Sequence, residues 1–250
     1  MRKIVVALSY VGMIEDAEAP RRRSAGRRDG KRAGGAARSA AGATRIVEAK
    51  QARSQATHER LLDALSELLQ ARSYGEISVA DIARAAGLTT GAVYARFGDK
   101  RGVAVALIER FLAASFERMD SWGAQERWAS ATPQEIIDNW TRGAVNFGRM
   151  YRPFLRLMLE EPALREQHTT LIDHSSRILA DLLRAALARP VDEHFDGDVE
   201  FAARAIMERF ELQDDDESYA RINRLICRIT GVPEQATPGA KRGGRKRERA

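Results

Sequence analysis

The chain has 250 residues, 44% hydrophobic and 30% charged, enough for one large or two small globular domains with a sizeable core. Its single cysteine, Cys227, excludes an intramolecular disulfide framework and a cysteine-based zinc cluster. The net charge of +6 is unevenly spread: residues 20–53 carry +9, residues 241–249 carry +5, and residues 54–240 carry −7, which excludes a nucleic-acid argument from overall charge and leaves one from basic arms.

The first residues, MRKIVVALSYVGMI, imitate a weak signal peptide. Glu15, Asp16 and Glu18 crowd the cleavage region, and the apolar run is too short to span a bilayer. The expectation is a cytoplasmic protein with no membrane partner, with Met13 as an alternative start. Residues 15–44 are rich in Arg, Ala, Gly and Ser without an apolar period, so residues 1–50 are expected to be a disordered basic arm. Residues 232–250, with KRGGRKRER, are expected to be a second basic tail.

The rest reads as successive helices, and the fold class is all-α. Leu61, Leu62, Leu65, Leu68 and Leu69 recur at helical spacing, predicting a helix over about 54–72. Ser78-Val79-Ala80-Asp81 has the spacing of a capping box, and the helix it opens stops at Gly87. Thr89 caps a third helix that ends near Phe97-Gly98, and Asp99 caps a fourth over about 100–119. Thr132-Pro133-Gln134-Glu135 opens a helix carrying Ile136, Ile137, Trp140, Ala144 and Phe147. A short segment over 153–160 follows, then a long helix from Pro162 to before Pro190. Two more are expected over about 198–211 and 217–230. Cys227 lies in the apolar pattern of the last and is expected to be buried.

A helix, a turn at Gly87 and a short second helix have helix-turn-helix spacing, in which the second helix enters the major groove. In TTGAVYARFGDK, residues 89–100, Val93 and Phe97 face the core together, while Tyr94 is rotated by about 100° from Val93. Thr89 and Thr90 offer hydroxyls and helix-start N–H groups to phosphate, Gly91 lets the backbone approach a duplex, and Lys100 supplies a point charge.

These residues resemble the TetR family of bacterial transcriptional regulators. The resemblance runs from about Arg60 to Leu112 and rests on Tyr74, Ser78-Val79, Asp81-Ile82-Ala83, Ala86-Gly87, Gly91, Tyr94, Phe97 and Lys100. Ser73 and Ile77 depart from the glycine and threonine usual there. The resemblance implies phosphate contacts from Ser78, Thr89, Thr90, Tyr94 and Lys100, and groove contacts from Gly91, Ala95 and Arg96, with Arg96 the candidate base reader. It implies a helix-turn-helix domain over 51–101 and a ligand-binding and dimerisation domain over 102–231. Trp140, Phe147, Met150, Tyr151, Phe154, Met158 and His174 are pocket candidates. Phe201, Ala205, Tyr219, Ile222, Leu225, Ile226 and Ile229 are candidates for a homodimer interface.

The expected partners are a double-stranded operator, a small-molecule effector not identified by the sequence, and a second copy of the chain. The functional expectation is a ligand-released repressor. The alternative is a weakly selective nucleoid-type protein driven by its basic arms. His58, His168, His174 and His194 form no metal pair, and no nucleophile elbow or phosphate loop occurs, so neither a catalytic role nor a cofactor or metal is expected.

Overall fold

The computed structural model describes residues 35–187, 189–207 and 216–232, with the side chains of residues 51–187, 189–206 and 219–232. The arm's residues 1–34 and the tail from 233 onward lie outside the described residues. Two units are distinguished, residues 1–50 and 51–250, and the account below concerns the second.

Among the described residues the architecture is all helical, with no strand. In chain order the helices are α1 Gly35–Leu69, α2 Val79–Ala85, α3 Thr90–Phe97, α4 Lys100–Gly123, α5 Pro133–Met150, α6 Arg152–Glu160, α7 Arg165–Ala186, α8 Phe195–Met207 and α9 Asp216–Thr230. Short 3₁₀ turns at Tyr74–Glu76, Glu126–Ser130 and Pro162–Leu164 join some of them.

Several boundaries differ from the sequence reading. Helix α1 begins at Gly35 instead of near Ser54; the Ala-rich stretch before Ser54 has high helix propensity without an apolar face to reveal it. Helix α4 runs on to Gly123, α8 starts at Phe195, and Pro162 opens a 3₁₀ turn ahead of α7.

The caps form as their chemistry demands. Ser78 accepts from the Asp81 N–H at 3.1 Å while the Asp81 carboxylate accepts from the Ser78 N–H at 3.0 Å, closing the capping box of α2. Asp99 accepts from the Gly102 N–H at 2.8 Å, and Thr132 and Glu135 close a second box on α5. Gly87 ends the α2 turn with φ +63°, where a side chain is strained.

In the head, Leu61, Leu62 and Leu65 of α1, Ile82 of α2 and Val93 of α3 are essentially inaccessible, as are Val103, Ala104, Leu107 and Ile108 of α4. Helix α4 therefore serves two cores, because it also packs on α7. Beyond it, α7 packs on α8, α5 and α6, and α9 packs on α8 and α5. Ile136, Ile137, Leu155, Leu157, Met158, Leu171, Leu179 and Leu183 fill that second core.

Polar groups bridge its helices. Gln134 donates to Asn223 and to Asp138, both at 2.8 Å, and the Tyr219 hydroxyl donates to the Asp138 carbonyl at 2.9 Å. Cys227 is buried there, its thiol 3.4 Å from Gln134 Oε1.

Candidate nucleic-acid interface

Helix α3 divides its residues by its period. Val93 is fully buried and Phe97 half-buried, with the Phe97 ring 4.9 Å from that of His58. On the other side Thr89, Thr90, Gly91, Tyr94 and Ala95 are all exposed, and Tyr94 is 55% accessible. A tyrosine left this open forgoes the burial that normally rewards an aromatic side chain. Thr89 is the N-cap of α3, accepting from the Ala92 N–H at 3.3 Å, and Thr90 follows as its first helical residue.

Gly91 is informative because nothing inside the molecule requires it. It lies in a helix at ordinary φ, and an added Cβ would meet only Thr89 Oγ1 at 3.7 Å, an ordinary contact. Alanine would favour the helix, so the fold alone leaves the glycine unexplained.

The arginine and lysine of the segment are engaged within the head. Arg96 is half-buried, and its Nη1 donates to Ser54 Oγ of α1 at 3.1 Å. Lys100 Nζ donates to the carbonyls of Tyr74 and Ile77 at 3.0 and 2.9 Å and sits 4.1 Å from the Tyr74 ring centroid. The ammonium expected as a point charge for phosphate thus holds the Tyr74–Ile77 turn. Ser78, next to that turn, is exposed, with its hydroxyl 2.7 Å from Asp81 Oδ2.

Electrostatics follow the same contacts. The Ser78 hydroxyl and N–H, and then Arg72 and Arg84, hold the Asp81 carboxyl down to about 2, against its partial desolvation. Burial, then Glu161 and Asp99, pushes the Tyr74 phenol up to about 12, with Arg101 opposing.

Sequence reasoning missed three contacts that fix this surface. Arg60 of α1 donates to the Ala86 carbonyl in the helix-turn-helix turn. Ser54 holds Arg96. Arg101, in the first turn of α4, pairs with the nearly buried Glu161 at 3.3 Å, tying the head to the chain just after α6. Arg96 and Ala86 stand out in the sequence, but their partners lie tens of positions away and carry no periodic signal.

The other candidate sets separate. Phe147, Tyr151 and Phe154 gather around Phe111 with ring centroids 5.8, 5.2 and 4.8 Å from it. Trp140 is buried, donating to Ser175 at 3.1 Å, and Met158 is fully buried. His174 lies 2.8 Å from Asp120 and 4.4 Å from the Phe116 ring, whereas Met150 is exposed. A cleft of about 450 Å³, lined by none of these, opens between the Leu69–Glu76 segment and α6.

Of the expected dimer face, Phe201 and Leu225 are exposed, and Ala205, Tyr219 and Ile229 are half-buried. Ile222 and Ile226 belong instead to the core of the single chain. The same α9 face that sequence periodicity marks as apolar is needed for packing on α5 and α8.

No described helix is long and apolar enough to cross a membrane, and no cluster of three metal-ligating side chains occurs among the described residues.

The buried α1–α2–α4 core, the Gly87 turn and the outward face of α3 define a helix-turn-helix head of the kind carried by transcription regulators. Residues 61–107 match the model of the bacterial regulatory proteins of the tetR family, and the head is a TetR-family module.

Similar solved structures include a TetR transcriptional regulator from Rhodococcus sp. RHA1, at 16% identity over 73% of this chain and 99% of that one, TM-score 0.48. Others are the TetR family regulator PfmR from Thermus thermophilus, at 22% identity over 71% and 97%, TM-score 0.45, and a TetR-family regulator from Streptomyces coelicolor, at 24% identity over 71% and 97%, TM-score 0.41. The comparison with curated proteins gives no match.

Proposed function

We propose that this protein is a cytoplasmic, dimeric DNA-binding transcription regulator whose α3 reads a pseudo-palindromic operator and which a small molecule releases. The observation that carries the reading is the outward face of α3. Exposed Thr89, Thr90, Gly91, Tyr94 and Ala95 stand together, with a glycine the fold does not need and a tyrosine withdrawn from the core. A duplex supplies what each residue lacks: phosphates for the threonine hydroxyls and the phenol, and a close surface for the bare Gly91 backbone.

In this reading Ser78 reaches a phosphate from the neighbouring helix start. Arg96 exchanges Ser54 for a base edge or a phosphate. Lys100 acts mainly through the turn that it holds and uses its remaining N–H on a phosphate. The folded head from 54 to 101 has six basic and six acidic residues, so the +9 of residues 20–53 adds the salt-dependent attraction.

A dimer is needed because one short helix reads few bases; two heads bind half-sites about 34–36 Å apart. The exposed Phe201 and Leu225 are the side chains such a contact would cover.

Support for an effector comes from the aromatic group around Phe111. The Tyr151 hydroxyl beside it is buried with no hydrogen-bond partner among the described residues, a cost that a polar group of a mainly apolar ligand would remove. Release then requires the ligand to favour a head arrangement that mismatches the operator, and DNA must weaken the ligand reciprocally.

Selection of bound sites from a random DNA pool tests the reading. A two-fold symmetric consensus with half-sites one turn apart is expected. A pool that returns no consensus, with binding lost on removal of residues 1–50, points to arm-driven binding and overturns it.

A further inference from the structure

The first half of α4 is bound firmly into the head. Lys100 donates to the Tyr74 and Ile77 carbonyls, Arg110 pairs with Glu59 and Asp63 of α1 at 2.7 and 2.9 Å, and Val103 and Leu107 are buried. The far end of α4 is seated on α7. Asp120 meets His174 at 2.8 Å, and Gly123 approaches Ile178 so closely that an added Cβ would lie 2.7 Å from its Cγ2. The head therefore hangs on one helix that is fixed at its distant end.

Packing does not close the other side of the head, because the cleft of about 450 Å³ separates its Leu69–Glu76 segment from α6. Next to Glu160, which lines that cleft, Glu161 Oε1 meets Arg101 Nε at 3.3 Å. The partners are unlike. Arg101 is exposed and travels with the head, whereas Glu161 is nearly buried and accepts from the Ala163 N–H of its own turn at 3.4 Å. Its charge is felt in the head: after burial itself, Glu161 is the next cause that pushes the Tyr74 phenol up. A nearly buried carboxylate is costly unless a cation compensates it, so the pair favours one separation of the head from the 3₁₀ turn after α6.

The consequence is geometric. From Asp120 back to Arg101 the helix spans about 29 Å at about 1.5 Å per residue, so a tilt of about 5° about its seated end moves the head by about 2.5 Å. Two heads tilting in opposite directions change their separation by about 5 Å, more than the ~3.4 Å rise of one base pair.

We propose that the Arg101–Glu161 pair is a positioning contact that sets the tilt of the head and, through it, the half-site spacing that a dimer accepts. The spacing role rests on the operator reading above; the tilt does not.

The tilt is measured on the full chain without DNA. Spin labels are placed on Ala95→Cys of α3 and Ala185→Cys of α7, both exposed positions, in a Cys227→Ser background and diluted with unlabelled chain. One narrow head-to-body distance is expected for the parent. Arg101→Gln and Glu161→Gln should each broaden it at least one and a half times or shift it by about 2 Å or more, the scale of a tilt of a few degrees. The far-ultraviolet spectrum should stay unchanged, since Arg101 is exposed. The double variant should be no broader than either single one, the signature of a pairwise contact. An unchanged distance in Arg101→Gln, even with lowered stability, makes the pair merely structural and overturns the inference. Summed broadening in the double variant overturns the pairing.

The spacing is read with unlabelled chains on the selected two-fold consensus, its half-sites moved by one base pair. The parent should lose at least tenfold in affinity and Arg101→Gln at most threefold. Equal discrimination by the two overturns the spacing role. A pool that returns no consensus counts against the operator reading, and the DNA-free distance still decides the tilt.

Discussion

Lys100 holds Tyr74 twice, donating to its carbonyl at 3.0 Å while its ammonium lies 4.1 Å from the centre of its ring. With the third contact, to the Ile77 carbonyl, the side chain pins the 3₁₀ turn that leads into α2. Removing it takes the ammonium from both carbonyls; the Tyr74 carbonyl keeps the Ile77 N–H at 3.2 Å, and the Ile77 carbonyl loses its side-chain donor. Lys100→Met is therefore expected to destabilise the DNA-free protein by about 2 kcal/mol, the scale of charge-assisted hydrogen bonds partly open to water. Urea unfolding without DNA measures this. A variant as stable as the parent but deficient in DNA binding would make Lys100 a phosphate ligand first.

Gly91→Ala separates folding from binding. The free head should gain up to about 1 kcal/mol, because alanine favours a helix and meets only an ordinary contact here. Operator affinity should fall at least tenfold, because the new methyl stands where the backbone meets the duplex. Thermal unfolding and a binding titration read the two effects. Undiminished affinity would move the DNA surface away from Gly91.

The acid limb of the stability curve should report the α2 capping box. The folded Asp81 carboxyl lies at about 2, below its ordinary 3.8, chiefly through the Ser78 hydroxyl and then the Ser78 N–H. A depressed carboxyl stabilises the fold above its unfolded value and loses that contribution as pH falls from about 4 through about 2. Ser78→Ala removes the hydroxyl and keeps the N–H, so Asp81 should titrate at higher pH and acid unfolding should begin earlier. Carboxyl nuclear magnetic resonance across about pH 1.5–6 follows the shift.

Phe201 is 65% exposed and Leu225 37%, large apolar surfaces for a single chain to leave in water. Phe201→Glu is expected to convert a dimer to monomer at micromolar concentration without loss of helix, because the side chain contributes little to the core. Sedimentation velocity and far-ultraviolet circular dichroism together decide it. An unchanged dimer would place the interface elsewhere.

The two methionines proposed from sequence for the effector pocket should behave differently. Met158 is fully buried, so Met158→Ala should cost about 2–5 kcal/mol, while Met150, 40% exposed, should change stability by under about 0.5 kcal/mol when replaced by alanine. Chemical denaturation measures both.

The sequence by itself determined whatever is local. The Ser78 and Thr132 boxes, the Thr89 and Asp99 caps, the Gly87 turn and the inward set Leu61, Leu65, Ile82 and Val93 all rest on contacts within a few residues or on the helical period. The exposure of Tyr94 was legible for the same reason, being one helical step from a buried valine. The early start of α1 was not, because alanine-rich helix carries no period.

Tertiary structure alone decided the distant partners. Lys100 reads in sequence as a free charge, and only the fold brings it over Tyr74. Arg96 is held by Ser54, and Arg101 by Glu161, across separations that periodicity does not encode. Ile222 and Ile226 look like an interface until α5 and α8 cover them. An apolar stripe records that a face is covered, and the chain topology determines whether its own helices or another molecule cover it.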